Sequence, residues 1–273
     1  LSTRSFYSSL LKYDHFNIMN TLRIHHVNIN HHKYKLLLKD ISSKLSMNFE
    51  QQHDIHEFII LFIDFLNLQK QQNIQIQKSS SEIENLANEK WFSEYSDMLD
   101  LFYFQILTTI KCNHCNHIHY NIDKILTIDC HVEKNSCIKA LVDKYFEQDS
   151  IPDWICDRCT KAHCKNVVRK TICKTPKIII ISLKKFNMSK MKIDINKNLD
   201  IAPIQHLPNI KTKYSLKSIG NHVGSSEYGH YFSTVFDQNM NMTMIDDMTI
   251  STMTISTKNS FNSRYAYILF YEY

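Results

Sequence analysis

Lys111-Cys-Asn-His-Cys-Asn-His117 and Ile155-Cys-Asp-Arg-Cys-Thr160 carry two Cys-x-x-Cys pairs, Cys112/Cys115 and Cys156/Cys159, in a chain whose first hundred residues hold no cysteine. A two-residue gap lets both sulfurs of one tight turn reach the same ion. Zinc favours four tetrahedral ligands, so two such turns complete one closed structural site. About forty residues separate the pairs, more than the fifteen to twenty or so of the common ribbon spacing. The spacing therefore predicts a metal that pins the tips of two long hairpins inside a larger domain. Four scattered thiols are the bland alternative. A disulfide framework suits small secreted chains, not one with enough residues for an ordinary core and no charged-plus-apolar secretion signal. Cys130, Cys137, Cys164 and Cys173 read as small buried hydrophobes or inert thiols, with Cys164 the one plausible substitute ligand.

The 273 residues are 43% hydrophobic and 11% aromatic, ample for a sizeable core in one large domain or two modest ones. No apolar run approaches the eighteen or so residues of a membrane span, and Ile178 to Ile181 is strand-sized. Net charge is +5 with scattered lysines, a faint footprint for a nucleic-acid binder. The expected setting is a reducing intracellular one, cytoplasmic or nuclear, without membrane or nucleic-acid partners.

All three glycines, Gly220, Gly224 and Gly229, fall within ten residues. Glycine serves where the backbone takes a positive φ or passes close to another strand. Two strand-like stretches bracket a turn there, and it delivers His230 and Tyr231 at the start of the second strand. Fifteen histidines are present, and this setting singles out His230 as a candidate catalytic group.

The first hundred residues read as helical. In His53 to Leu66, Ile55, Phe58, Ile59, Phe62, Ile63 and Leu66 recur at the spacing of one helix face. Asp54 and Glu57 lie in its first turn, where acidic groups complement the helix dipole. Gln69 to Asn88 reads as an exposed loop or frayed helix end. From Phe102 the character changes to β. Lys177 to Phe186 suits a strand buried on both faces, and Asn187 to Pro208 reads as a connecting loop. Tyr214 to Ile219, His230 to Phe236, Met240 to Ile245 and Tyr265 to Tyr271 are further strand candidates.

These residues carry a resemblance to the catalytic domain of the ubiquitin-specific proteases, a family of cysteine deubiquitinases. Gln52-His-Asp-Ile-His-Glu-Phe resembles the family's Gln-Gln-Asp-Ala-His-Glu-Phe box. The cysteine pairs fall where its zinc-bearing fingers do, and Ala162 through Phe186 resembles the segment leading into the palm. Tyr214-Ser-Leu, His222-Val-Gly and Gly229-His-Tyr resemble the histidine box, while Ile245-Asp-Asp-Met-Thr-Ile and Ala266-Tyr-Ile-Leu-Phe-Tyr resemble the closing elements. Each is weak alone, but their shared order is specific.

The resemblance implies an α+β, papain-like cysteine protease fold over residues 1–273. It comprises a helical thumb (about 1–100), zinc-ribbon fingers (about 101–175) and an antiparallel palm (about 176–273). It implies ubiquitin or ubiquitinated proteins as partner and structural zinc as cofactor. His230 would be the general base, Asp246 the group orienting its imidazole, and Asp247 a second acidic neighbour. Gln52, Asp54 and Tyr231 would line the path of ubiquitin's tail. The nucleophile departs from the pattern: Ser2-Thr-Arg-Ser-Phe-Tyr-Ser-Ser-Leu-Leu aligns with the family's cysteine box and puts Ser5 in the cysteine's place. A thiol near pKa 8.5 is readily ionised by a histidine, whereas an alkoxide is far harder to form. Ser5 could be an engineered trap, a natural loss of catalysis, or a misalignment at an incomplete N-terminus, since the chain starts without methionine. The expectations are a thiol-type deubiquitinase, a ubiquitin-binding pseudoenzyme, or, remotely, a zinc-ribbon nucleic-acid binder.

Overall fold

The computed structural model describes residues 39, 41–48, 51–68, 79, 81–133, 136–160, 166–185, 191–204, 210–225, 228–247, 249–253 and 260–273. Ser5 and Cys164 lie outside them. Helix α1 (Ile55–Leu68) forms where the apolar spacing predicts it, burying Phe62, Ile63 and Leu66 with Ile55, Phe58 and Ile59 half-buried beside them. Asp54 caps it: its Oδ1 accepts from the His56 amide at 2.6 Å, and its carbonyl accepts from Phe58 N at 3.0 Å. Helix α2 (Glu82–Phe92) occupies the end of the stretch Gln69 to Asn88 that reads as an exposed loop or frayed helix end, and most of the rest of that stretch lies outside the described residues. The Ser81 hydroxyl accepts from the Glu84 amide, Glu82 and Glu84 occupy the first turn, and Ala87 and Trp91 are buried. These cap signals were present locally, and burial of one tryptophan outweighs a polar composition. Helix α3 (Asp97–Phe102), capped by Ser96, buries Met98, Leu99, Leu101 and Phe102 and closes the helical unit.

The β region follows as β1 (Phe104–Lys111), β2 (Ile118–Ile125), β3 (Thr127–His131), helix α4 (Ile138–Tyr145), β4 (Asp149–Ile151), β5 (Asn166–Lys174) and β6 (Ile178–Lys184). Strands in the order β2-β1-β5-β4 make an antiparallel four-stranded sheet, the fingers. Helix α4, unforeseen in a stretch read as β, buries Ile138, Leu141 and Val142 and packs against β3. The remaining strands are β7 (Ile193–Asn196), β8 (Asn198–Asp200), β9 (Lys213–Gly224), β10 (Gly229–Phe236), β11 (Met242–Asp246), β12 (Thr249–Met253), β13 (Ser260–Ser263) and β14 (Ala266–Glu272). Strands β7, β8 and a 3₁₀ turn (Ala202–Ile204) fall inside the expected Asn187 to Pro208 loop. The buried Ile193 and Ile195 of β7 alternate with polar neighbours and pay the ordering cost of that strand.

The palm sheet runs β12-β11-β10-β9-β14-β6-β3, with β8 pairing β9 off this path. Its pairs are antiparallel except β3 with β6, which is parallel, so the palm is mixed where a purely antiparallel sheet was expected. Strand β6 shows why the hand holds together. Ile179, Ile181 and Leu183 enter the palm core, while Ile178 and Ile180 enter the thumb core with α1 and α3. Period-two alternation thus makes one strand the wall between two cores. Each isoleucine so buried contributes about 1.5–3 kcal/mol of transfer free energy. No helix among the described residues is long and apolar enough to cross a membrane.

Candidate active site and metal clamp

The fingers end in two matching knuckles. After each Cys-x-x-Cys the next residue is left-handed, Asn116 at φ +57° and Thr160 at φ +54°. Its amide donates to the carbonyl of the first cysteine, Asn116 N to Cys112 O at 2.9 Å and Thr160 N to Cys156 O at 2.8 Å. The first turn closes the β1–β2 hairpin and the second lies between β4 and β5. The four sulfurs lie within 4.8 Å of one another. Cys112 Sγ stands 3.8 Å from Cys159 Sγ and Cys115 Sγ 3.7 Å from Cys156 Sγ. A tetrahedron with metal–sulfur bonds of about 2.3 Å has edges of about 3.8 Å, so the cluster fits one tetrahedral ion. Backbone N–H groups of Cys115 and His114 lower the pKa of the Cys112 thiol, while burial and the neighbouring thiols push that of Cys115 up. Of the other cysteines described, Cys130 and Cys173 are buried in strands, and burial pushes their thiols up to about 12 and about 11. Cys137 is half-buried where α4 begins.

The second cluster forms where β10 begins and β11 ends. Ser233 pairs with Ile245 in their antiparallel register, so Asp246 lies diagonally across from His230 on the same sheet face. His230 Nε2 meets Asp246 Oδ1 at 2.5 Å. Asp246 also pairs with Thr249, which leaves a two-residue hairpin turn beginning at Asp247, whose φ is +50°. That turn brings the Asp247 carboxylate to the pair: donor atoms of His230, Asp246 and Asp247 all lie within 4.8 Å of one another. The hydrogen bond to Asp246, reinforced by the charges of Asp246 and Asp247, holds the His230 imidazole above its ordinary pKa.

The segment ahead of α1 reaches this strand from the thumb. Gln52 Nε2 donates to Gly229 O at 2.8 Å, and the Tyr267 hydroxyl donates to Asp54 Oδ2. Tyr231 projects to the opposite face from His230, its ring 4.7 Å from His222 and 6.2 Å from Tyr267. His56 then enters a polar nest: Nδ1 lies 3.4 Å from Lys184 Nζ, and Nε2 lies 3.4 Å from Thr127 Oγ1 and 3.5 Å from Asp129 Oδ1. Burial, with the Lys184 charge, lowers its pKa. So Gln52 and Asp54, ahead of α1, and His56, in its first turn, each touch the palm. Sequence reasoning singled out Gln52, Asp54, Tyr231, His230, Asp246 and Asp247, which gather here, and passed over His56, His222 and Tyr267. The signal for Tyr267 was a tyrosine in an otherwise apolar closing strand.

A thumb, zinc-ribbon-like fingers and a palm bearing a His–Asp pair define the papain-like cysteine protease fold. The sequence profile described as ubiquitin carboxyl-terminal hydrolase matches residues 7–271, and the chain belongs to that family as a ubiquitin-specific protease catalytic domain. It is 25% identical over 243 residues to ubiquitin carboxyl-terminal hydrolase Usp2 of Drosophila melanogaster, covering 81% of this chain and 26% of that protein. It is 28% identical over 233 residues to ubiquitin carboxyl-terminal hydrolase 25 of Arabidopsis thaliana, covering 81% of this chain and 33% of that one. The chain therefore spans about a quarter to a third of these relatives. The fold is similar to a chain of the SAGA Ubp8/Sgf11/Sus1/Sgf73 DUB module, with a TM-score of 0.72 at 17% identity over 99% of this chain and 64% of that one. The same module bound to ubiquitin aldehyde gives 0.67 at 18% identity, over 97% of this chain and 59% of that chain.

Proposed function

We propose that residues 1–273 form one catalytic domain that grips ubiquitin and hydrolyses the peptide or isopeptide bond after its C-terminal glycine. Approximate limits of 1–100 for the thumb, 101–175 for the fingers and 176–273 for the palm belong to this proposal. The observation that carries it is the His230–Asp246 hydrogen bond through Nε2. It fixes the ring and leaves Nδ1 as the nitrogen that exchanges a proton. In the class chemistry a thiol proton passes to that nitrogen, and sulfur attacks the carbonyl of the last glycine. The imidazolium then returns the proton to the departing amine, and water releases the acyl group by the same route. Asp246 orients the ring, and Asp247 adds negative charge beside it. Gln52, Asp54 and Tyr231 line the approach, where a carboxylate suits an arginine or backbone N–H groups of an extended tail. Cys112, Cys115, Cys156 and Cys159 would hold a structural zinc ion, which supplies folding energy to the fingertips and no chemistry at the bond cleaved.

Ser5, at the nucleophile position, favours a second reading: a pseudoenzyme that binds ubiquitin without cutting. A ubiquitin probe with an electrophilic tail separates the two. Covalent labelling of the chain, or of its Ser5→Cys variant, supports the hydrolase. Saturable binding with no labelling of either supports the receptor, and no binding at all overturns both.

A further inference from the structure

His222 has no place in the chemistry just described, yet it touches both neighbours of His230. Strands β9 and β10 pair Tyr231 with His222 and Gly229 with Gly224. Alternation therefore puts His222, Gly229 and Tyr231 on one sheet face and His230 on the other. The imidazole leans diagonally across Gly229, so that a Cβ added there would fall 1.9 Å from His222 Nε2 and 2.9 Å from both Cδ2 and Cε1. A side chain at this position would thus have to displace the ring. The same ring packs at a tilt against Tyr231 with centroids 4.7 Å apart and stands 5.9 Å from Tyr267, whose hydroxyl is held by Asp54. Burial, together with the Lys185 charge and against that of Asp54, lowers the His222 pKa. The ring is accordingly neutral at pH 7 and suited to packing between aromatic groups.

We propose that His222 is the positioning residue for His230: its imidazole, wedged beneath the two residues that flank His230, sets the height at which the start of β10 stands and so the reach from His230 to Asp246. Gln52 grips the Gly229 carbonyl, and His222 supports the same residue through its α-carbon. A hydrogen bond of 2.5 Å tolerates little displacement, since a shift of about 1 Å carries such a pair to the outer limit of bonding. The proposal rests on the hydrolase reading of His230, but its primary test does not require turnover.

The imidazole pKa of His230 is measured by NMR, alongside Tm, in the full chain and in its Gly229→Ala, His222→Ala and doubly substituted forms. In Gly229→Ala the new methyl is pushed by the ring, and in His222→Ala the support is gone, so in both the His230 pKa falls toward its ordinary value of about 6.5. In the double variant the methyl meets empty space, and Gly229→Ala adds little further change. An unaltered His230 titration in folded His222→Ala overturns the proposal. So does a Gly229→Ala effect equally large with and without the ring. Should Gly229→Ala not fold, recovery of folding in the double variant supports the wedge, and failure there too leaves His222→Ala alone to decide. In the Ser5→Cys background, His222→Ala is expected to lower kcat about a hundredfold, the cost of a misplacement of about 1 Å. The loss should fall more on kcat than on KM, although His222 also touches Tyr231 on the tail's approach. Absence of turnover in Ser5→Cys itself counts against the hydrolase reading, and the NMR result then judges His222 separately.

Discussion

The imidazole of His230 and the carboxylate of Asp246, sixteen residues apart along the chain and on neighbouring strands, meet at 2.5 Å, Nε2 to Oδ1. Because that contact raises the pKa of His230, removing it in Asp246→Ala should return the ring toward about 6.5, read by NMR titration. Asp247→Ala, which removes a neighbouring charge but no hydrogen bond to the ring, should lower it less. The sign for stability follows. A raised folded-state pKa gives a contribution fully present below about 6.5 and lost as pH climbs through the folded value. Equal titrations in both variants would contradict the assignment of Asp246 as the orienting partner.

Asp54 does two separable jobs, capping α1 and accepting from Tyr267. Asparagine is a good N-cap but carries no charge, so Asp54→Asn should leave thermal stability nearly unchanged, whereas Asp54→Ala should cost about 1 kcal/mol. In a chain of this size that is a Tm loss of about 2–4 °C. Ubiquitin affinity, measured by calorimetry, should fall in both. Affinity tracking the cap instead of the charge would remove Asp54 from the substrate path.

His56 makes the junction of thumb and palm sensitive to acid. Its pKa is lowered by burial and by Lys184, against the opposing pull of Asp129 and Asp54. The unfolded chain therefore takes up the proton first as pH falls. Its contribution is full above about 6.5 and is lost on acidification through the folded value. Melting curves from pH 8 to pH 5 should decline more steeply for the natural chain than for His56→Gln, and parallel curves would refute the coupling.

The sulfur tetrahedron predicts one bound metal per chain. Cys156→Ala should abolish it and lower Tm, while Cys130→Ala, at a buried strand position away from the knuckles, should retain it. Elemental analysis of the purified proteins reads the first effect and calorimetry the second. Full metal content in Cys156→Ala would exclude the clamp.

Much of the hand is legible in the sequence wherever chemistry forces a spacing. Both Cys-x-x-Cys pairs, the helical face from Ile55 to Leu66 and the apolar Ile178 to Ile181 each allow few alternatives, and the fold keeps all three. Strand β7 and helix α2 were hidden because polar composition masked them. Ile193 and Ile195 are too few to outweigh their neighbours until another strand pairs beside them, and α2 is anchored by the distant burial of Trp91. The parallel partnering of β3 with β6 is a long-range choice that no local pattern encodes. At the site, His230 was marked by glycines, but His222 and Tyr267 act through contacts across strands, which a linear reading cannot register.

The knuckles set the reach of the fingers independently of the length of chain between them. An ion held by all four sulfurs would tie the β1–β2 turn to the segment between β4 and β5, and the entropy penalty of closing a flexible loop grows only logarithmically, about 0.6 kcal/mol per doubling of length. Extra residues in an exposed turn between Cys115 and Cys156 would then cost little, provided that β2, β3, helix α4 and β4, which the same stretch holds, keep their packing. The turns of that stretch, and not its strands or its helix, are thus the permissive places for new modules to be spliced into the domain.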